Sequence, residues 1–268
     1  HASDRRVAGA AAPWRGRRGV RRGGGGGRRP LSAGPVDPEL IGDLVAANRI
    51  LATQNVLDGY GHVSMRHPNN KDHFLLSRSL APARVCRADI MEYAGDSEPV
   101  SGEHRASYLE RYIHGEIYQA RPDVMAIVHS HSASVLPFAI SKTPMQAVFH
   151  MSAFLAQGVP IYDAREFFGD TDLLVSSNAM GAALAKVLGH KPMALMRGHG
   201  NVAVGSSLQE AVYRAIYSEV NAHMQLQAQA LKGPLTFLNE VEGAKADATV
   251  MKTISRPWDL WKAQVVIE

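Results

Sequence analysis

The feature that most limits the possible fold is an alternation of short apolar runs with helical stripes along residues 37–231. One run, at 124–128, has the length and composition of a buried strand, whereas the apolar spacing at 207–231 is that of a long helix. The predicted strands are too short for a doubly wound nucleotide-binding sheet, and the chain contains no GxGxxG motif. The pattern therefore predicts one α/β domain built on a mixed sheet.

Capping residues and periodicity give the boundaries of these elements. Asp37 and Pro38 are a typical N-cap and first residue for a helix that reaches about residue 51. Further helices are predicted at 105–120, 132–141, 147–157, 178–188 and 207–231, and strands at 62–66, 73–77, 124–128, 159–161, 193–196 and 202–204. Trp258 and Trp261 are expected to pack a hydrophobic face near the C-terminus.

All of the excess positive charge lies in an N-terminal tail, residues 1–36. The chain has 29 basic and 25 acidic residues, which gives a formal charge of +4. Nine of the basic residues and one acidic residue lie in the tail, so the tail carries +8 and residues 37–268 carry −4. The arginine and glycine composition of the tail favours disorder and a non-catalytic role, and nucleic-acid binding is the less favoured interpretation. We therefore expect the catalytic domain at 37–268.

The size and cysteine content of the chain exclude several other classes. Its 268 residues can bury one large core. No apolar run approaches the roughly 20 residues that a bilayer-spanning helix needs, so no membrane partner is expected. The single cysteine, Cys86, excludes an internal disulfide and fits a reducing, cytoplasmic location.

Three histidines occupy positions suited to metal binding. His129 and His131 lie two residues apart at the end of a predicted strand, where alternation places both side chains on one face. His199 lies between two glycines in a predicted turn at 197–200. Together they can supply three nitrogen ligands to a divalent metal and leave room for substrate or water. The spacing alone also fits histidines with a structural role.

Glu110 is the candidate for a fourth ligand or for an acid/base group. It falls within the helix predicted at 105–120, and His114, four residues later, is expected to orient it through a hydrogen bond. The alternative is a solvated helix carboxylate that pairs with Arg111 or His114. On spacing alone that alternative stays open.

The order of these motifs resembles the class II aldolase/adducin family over about residues 40–230. The residues that carry the resemblance are Glu110-x-x-x-His114, Tyr118-x-x-Arg121-Pro122-Asp123, Val128-His129-Ser130-His131 and Gly198-His199-Gly200. The resemblance implies a single α/β/α domain around a mainly antiparallel central sheet. It also implies a homotetramer with active sites between subunits, and a divalent ion held by His129, His131 and His199, with Glu110 as ligand or acid/base.

The chain departs from the sugar-phosphate enzymes of that family where those enzymes bind phosphate. It has Gly61-His62, Ser79-Leu80 and Tyr108-Leu109 at the three corresponding places, which argues against a phosphorylated sugar. Arg78, with Ser79 and His62, suits a planar carboxylate instead, because a guanidinium can hold one through two parallel hydrogen bonds. The alternative for Arg78 is a surface charge or a salt bridge between subunits.

These departures are most similar to the decarboxylase branch of the family, and in particular to decarboxylation of 3-hydroxy-2-methylpyridine-4,5-dicarboxylate in vitamin B6 degradation. In this hypothesis the ring 3-oxygen and the departing 4-carboxylate lie at the metal. Arg78, Ser79 and His62 bind the second carboxylate, and Glu110 or His150 moves the proton. His150 stands where the family has a catalytic tyrosine from the adjacent subunit. The resemblance favours Mn²⁺, with Zn²⁺ as the alternative.

Two other functions fit parts of the pattern. An aldolase or epimerase acting on an unphosphorylated hydroxy-acid or sugar acid would share the metal and Arg78. An adducin-like interaction module would keep the fold without the chemistry, although retention of all three histidines and Glu110 argues against it. A decarboxylase releases CO₂ and the others do not, so this product distinguishes the hypotheses.

Overall fold

A computed structural model of the chain describes residues 30–265, so the structural statements below concern those residues. They contain seven strands: β1 (His62–Arg66), β2 (His73–Ser77), β3 (Ile90–Ala94), β4 (Ala126–Ser130), β5 (Ile161–Tyr162), β6 (Met193–Met196) and β7 (Gly200–Gly205). The strands form one sheet in the order β3-β2-β1-β4-β7-β6-β5. Every neighbouring pair is antiparallel except β5 and β6, so the predicted mainly antiparallel sheet is confirmed.

Eight α-helices surround the sheet within the described range: α1 (Pro38–Thr53), α2 (Arg111–Ala120), α3 (Leu136–Ile140), α4 (Arg165–Phe168), α5 (Asn178–Leu188), α6 (Leu208–Ala230), α7 (Glu240–Met251) and α8 (Ser255–Ala263). The predicted start of α1 is confirmed. The Asp37 carboxylate accepts from the backbone N–H of Glu39, and Pro38 is the first helical residue. This pairing satisfies one of the otherwise unpaired N–H groups of the first turn.

Helices cover both faces of the sheet. On one face α1, α6 and α8 enclose a core that includes Val128 of β4, and the predicted packing of Trp258 and Trp261 is confirmed there. On the other face α2 and α5 pack over Ile127, the neighbour of Val128 in β4. Successive strand residues point to opposite faces, so an uninterrupted apolar run in β4 serves both cores. The result is the predicted three-layer α/β/α domain.

Three predicted helices differ from the observed elements. α2 begins at Arg111 rather than near residue 105, because residues 103–105 are not helical and Arg105 Nε donates to Glu103 there (2.9 Å). The helix predicted at 132–141 is the short α3. The one predicted at 147–157 is a 3₁₀ segment, His150–Gln157, that ends at Gly158 with a φ of 86°. Glycine adopts this left-handed backbone without the steric cost of a Cβ.

The edge strand β3 was not predicted, and a charged residue in its sequence explains why. Glu92 lies in the middle of this strand, where a charged residue weakens the apolar pattern. Its carboxylate is paired in the structure with Ser32 Oγ (2.5 Å), the backbone N–H of Ala33 (2.7 Å) and His73 Nδ1 (2.6 Å). Residues 32–33, which the composition groups with the N-terminal tail, are thereby attached to the sheet. Residues 1–29 of the predicted tail lie outside the described residues.

Among residues 30–265, no helix is long and apolar enough to cross a bilayer.

Candidate metal centre and adjoining cavity

Four side chains predicted as metal ligands come together at one end of the central strands. They are Glu110, His129, His131 and His199, and their ligand atoms all lie within 4.8 Å of one another. His129 lies in β4, and His131 follows the end of that strand. His199 immediately precedes β7, which pairs with β4, and Glu110 occupies the N-cap position of α2. The two-residue spacing places His129 and His131 together, and the antiparallel pairing of β4 with β7 brings the distant His199 to the same point.

Backbone carbonyls fix the orientation of two imidazoles. His129 Nδ1 donates to the carbonyl oxygen of Asn201 (3.1 Å), and His199 Nδ1 donates to that of Leu173 (2.9 Å). A carbonyl can only accept, so each Nδ1 carries the proton and each Nε2 keeps its lone pair. This outer hydrogen bond to a metal-binding histidine is the arrangement that orients the ring and sets its tautomer.

The carboxylate of Glu110 is held so that one oxygen faces the histidines. Its Oε1 accepts from the backbone N–H of Val175 (2.9 Å). Its Oε2 lies 3.4 Å from Nε2 of His129 and 3.3 Å from Nε2 of His199. The N-cap position matters here, because the side chain projects away from the helix and into the cluster instead of along the helix surface.

The cluster fits a divalent metal. The Nε2 atoms of His129, His131 and His199 are all buried, and none has a hydrogen-bond partner among the described residues. A buried polar atom without a partner costs about 1–3 kcal/mol, so three that converge indicate a shared partner outside the polypeptide. Three imidazole nitrogens and one carboxylate oxygen suit Zn²⁺ or Mn²⁺.

The electrostatics of the cluster suit a cation. Burial raises the pKa of Glu110. The imidazoles of His129 and then His199, whose Nε2 atoms face the carboxylate at 3.4 and 3.3 Å, outweigh that effect, so the pKa lies well below its usual value. Burial, followed by repulsion from His129 and His199, lowers the pKa of His131 to about 4. Glu110 is therefore anionic and His131 neutral near pH 7, which are the forms that bind metals.

A cavity of about 310 Å³ adjoins the cluster. Its lining contains Glu110 and His131 from the cluster together with the predicted substrate-binding residues His62 and Ser79. The remaining lining residues are Gly59, Tyr60, Gly61, Leu80, Ala81, Tyr108, Leu109 and Leu174. A space of this size with mostly apolar walls and few polar groups suits a small ring-shaped ligand.

Arg78 and His150 lie apart from this lining. Among residues 30–265, the groups that line the cavity include neither of them. Arg78 Nε donates to Oδ1 of Asp89 (2.6 Å), which is a salt bridge within the subunit, and the Arg78 side chain is 39% exposed. His150 is exposed at the start of the 3₁₀ segment His150–Gln157. Its role in the site of an adjacent subunit stays a prediction, because one chain is described.

His114 does not orient Glu110 as the sequence spacing suggested. Its Nε2 lies 2.6 Å from Nδ1 of His62, and its Nδ1 lies 2.6 Å from Oγ of Ser64. The i, i+4 argument fails because Glu110 is at the N-cap, where its backbone is not helical (φ −93°, ψ 20°). Both nitrogens of His114 are thus used on the side of the helix that faces β1.

Sequence reasoning also missed the segment that supports two of the ligands. The backbone of residues 173–175 binds both His199 and Glu110, and Leu173 adopts a φ of 71°. A non-glycine residue in this left-handed region is strained by about 1–3 kcal/mol, a strain that is typical of functional sites. No side-chain pattern could have indicated these backbone contacts.

Comparison with known proteins places this geometry in a family. Residues 42–226 match the family described as Class II Aldolase and Adducin N-terminal domain. The decarboxylase tropJ of Talaromyces stipitatus is 38% identical over 245 residues, which is 83% of this chain and 92% of that protein. The 3,4-dihydroxyphthalate decarboxylase of Arthrobacter keyseri is 29% identical over 217 residues, 75% of this chain and 84% of that protein.

A solved structure shares the fold. The L-fuculose 1-phosphate aldolase from Glaciozyma antarctica superposes with a TM-score of 0.70 at 24% identity. The superposition covers 86% of this chain and 94% of the aldolase. At this level of identity the likeness concerns the fold alone.

Proposed function

The chain belongs to the class II aldolase and adducin family, and from that membership we propose that it is a divalent-metal-dependent decarboxylase of a hydroxylated aromatic dicarboxylate. The observation that carries the proposal is the opening of the cluster onto a cavity that contains His62 and Ser79. Decarboxylase activity in the relatives supports the reaction class.

Decarboxylation makes specific demands on such a site. The ring carbon that bears the departing carboxylate first takes up one proton, so that it and the neighbouring ring oxygen resemble a β-keto acid. The bond between that carbon and the carboxylate then breaks, CO₂ leaves, and the electron pair of the bond passes through the ring to the oxygen, which becomes an enolate. When bound, a divalent ion acts as a Lewis acid and stabilises this charge. Glu110, His129, His131 and His199 would hold that ion.

The other residues of the cavity would bind and orient the substrate. Tyr108, Leu109 and Leu174 offer walls against which a ring can pack and from which water is excluded. His62 and Ser79 offer hydrogen bonds to the carboxylate that is retained. The proton for the ring carbon comes from His150 of a neighbouring subunit, as in a homotetramer with active sites between subunits, or from Glu110, which is anionic and would first take that proton from the substrate hydroxyl.

The substrate class follows from this assignment of groups. We propose a ring that carries a hydroxyl and two carboxylates on three consecutive carbons. The 3-hydroxy-2-methylpyridine-4,5-dicarboxylate of vitamin B6 degradation has this pattern, and so does 3,4-dihydroxyphthalate. The proposed metal is Mn²⁺, with Zn²⁺ as the alternative.

The test is CO₂ release by the purified full chain loaded with Mn²⁺ or Zn²⁺ and supplied separately with each of these two compounds. We expect stoichiometric CO₂ from at least one of them, and its loss in the His129→Ala variant. Turnover of an unphosphorylated hydroxy-acid without CO₂ would support the aldolase or epimerase alternative. A protein that binds no stoichiometric metal and releases no CO₂ would support an adducin-like interaction module.

A further inference from the structure

A buried row of hydrogen-bonding side chains leads away from the cavity. His62 Nδ1 lies 2.6 Å from His114 Nε2, and His114 Nδ1 lies 2.6 Å from Ser64 Oγ. Ser64 Oγ lies in turn 2.8 Å from the hydroxyl of Tyr118. His62 lines the cavity, whereas the other three groups lie behind it between β1 and α2, and all four residues are at least 95% buried.

The Tyr118 hydroxyl, at the end of the row away from the cavity, determines which atom is the donor in each hydrogen bond. Within the described part of the chain, Ser64 Oγ is the only hydrogen-bond partner of the Tyr118 hydroxyl. The face of the Tyr118 ring is covered by the guanidinium of Arg66, whose carbon lies 4.6 Å from the ring centre. A guanidinium has donors but no acceptor, so the phenolic proton can be used only toward Ser64.

Each following bond is then determined. Ser64 accepts from Tyr118 and donates to Nδ1 of His114. His114 therefore carries its proton on Nε2 and donates it to Nδ1 of His62. A neutral imidazole has one N–H, so His62 carries its own proton on Nε2. The reversed order would leave the Tyr118 proton without an acceptor.

Burial supports the neutral forms that this order requires. Desolvation, followed by repulsion from His129, lowers the pKa of His114 to about 3. Desolvation raises the pKa of Tyr118, which therefore remains a protonated donor.

We infer that Tyr118, Ser64 and His114 are positioning residues that fix His62 as an Nε2–H donor, and that His62 thereby selects an anionic oxygen of the substrate. The recognised group is a carboxylate oxygen, which accepts from a neutral N–H through a charge-assisted bond. This role rests on the proposed function for the identity of the ligand. The tautomer of His62 does not rest on it.

The first test is the ¹⁵N spectrum of the Zn²⁺-loaded full chain labelled at histidine. The His62→Gln variant identifies the signals of His62 by their disappearance. We expect a protonated Nε2 and an unprotonated Nδ1 for His62 in the wild type. An unprotonated Nε2 would overturn the inference whether or not the protein releases CO₂, so this failure is separate from failure of the proposed function.

The second test is a double-mutant cycle on binding and turnover of the dicarboxylate. Tyr118→Phe removes the donor that orders the row, and we expect KM to rise about three- to tenfold, the range for a weakened bond to a charged group, with little change in kcat. In the His62→Gln background the amide supplies its own N–H, so Tyr118→Phe should change KM no further. An equal rise in both backgrounds would indicate a merely structural role and overturn the inference.

Tyr112→Phe provides the matched control. Tyr112 lies on the same helix, and its hydroxyl contacts Arg111 and Glu98 rather than Ser64. This variant should leave both KM and the His62 signals unchanged. A shift of the His62 signals by Tyr112→Phe equal to that by Tyr118→Phe would also overturn the inference.

Discussion

Glu110 and His199 are held by neighbouring backbone groups of one segment. The N–H of Val175 donates to Oε1 of Glu110, and the carbonyl of Leu173 accepts from Nδ1 of His199. These two bonds leave Oε2 of the carboxylate 3.3 Å from Nε2 of the imidazole. The segment thus couples the start of α2 to the turn before β7, and both ligands are oriented before a metal binds.

Removal of a single ligand should abolish stoichiometric metal binding. His199→Ala deletes one of four converging donors, and we expect a loss of metal affinity larger than the roughly 10- to 100-fold that removal of an outer hydrogen-bond partner causes. Isothermal titration with Zn²⁺ measures it. His190→Ala, at an exposed histidine, is the matched control and should bind metal like the wild type. Equal affinities in the two variants would refute the assignment.

Metal should stabilise the fold, because the cluster contains three buried imidazole nitrogens without partners. A ligand at 100 times its Kd adds about 2.7 kcal/mol to the free energy of unfolding. We therefore expect Tm to rise by several degrees when Zn²⁺ or Mn²⁺ is added to chelator-treated protein. The measurement is a thermal melt with and without metal. His129→Ala should show no rise, and a rise of the same size there would place the stabilising metal elsewhere.

The sequence predicted the parts of the site that depend on side-chain type and spacing. His129 and His131 flank the end of an apolar strand, and His199 lies in a turn, so their types and positions indicated a metal site. Two predictions were wrong, the start of α2 and the contact of His114, and both have the same backbone cause. Because α2 begins at Arg111, Glu110 lies at its N-cap, and His114 contacts His62 and Ser64 instead of Glu110.

The remaining features depend on tertiary contacts that no local pattern encodes. β3 contains Glu92, whose charge is paired by residues about 60 and 19 positions away. The metal ligands Glu110 and His199 are supported by backbone atoms of residues 173–175, and the side chains of these residues give no sign of those contacts. The layered fold, by contrast, was predictable because apolar periodicity directly reflects which face of each element is buried.

Arg78 offers a test between its two interpretations. Its Nε is occupied by Asp89, and its side chain is partly exposed, so the salt bridge itself contributes only about 0–1 kcal/mol to stability. If Arg78 also binds the substrate carboxylate, Arg78→Gln should raise KM about tenfold or more with Tm nearly unchanged. Steady-state kinetics and a thermal melt measure the two effects. An unchanged KM would leave Arg78 with the salt bridge alone.

His150 should act in the site of an adjacent subunit. It is exposed and does not line the cavity of its own chain, so His150→Ala should leave the fold intact and lower kcat. Glu110→Gln should inactivate a different part of the same site. In mixed oligomers of the two inactive variants, about one site in four would combine both intact residues and regain activity. Mixed oligomers that stay inactive, while wild-type subunits treated alike keep activity, would contradict a shared site.

The buried His114 should make the protein less stable in mild acid. Burial lowers its pKa in the folded state to about 3, whereas an exposed histidine in the unfolded chain titrates near 6.5. The unfolded state therefore binds a proton first. The contribution of neutral His114 to the free energy of unfolding is fully present above pH about 6.5. It decreases as the pH falls toward 3, by at most about 1.4 kcal/mol per pH unit. Urea unfolding between pH 8 and 4.5 measures the slope in chelator-treated protein. In the His114→Gln variant, which cannot titrate at this position, the free energy of unfolding should fall less steeply with decreasing pH, by up to that amount. Equal slopes in the two proteins would show that another group causes the loss of stability.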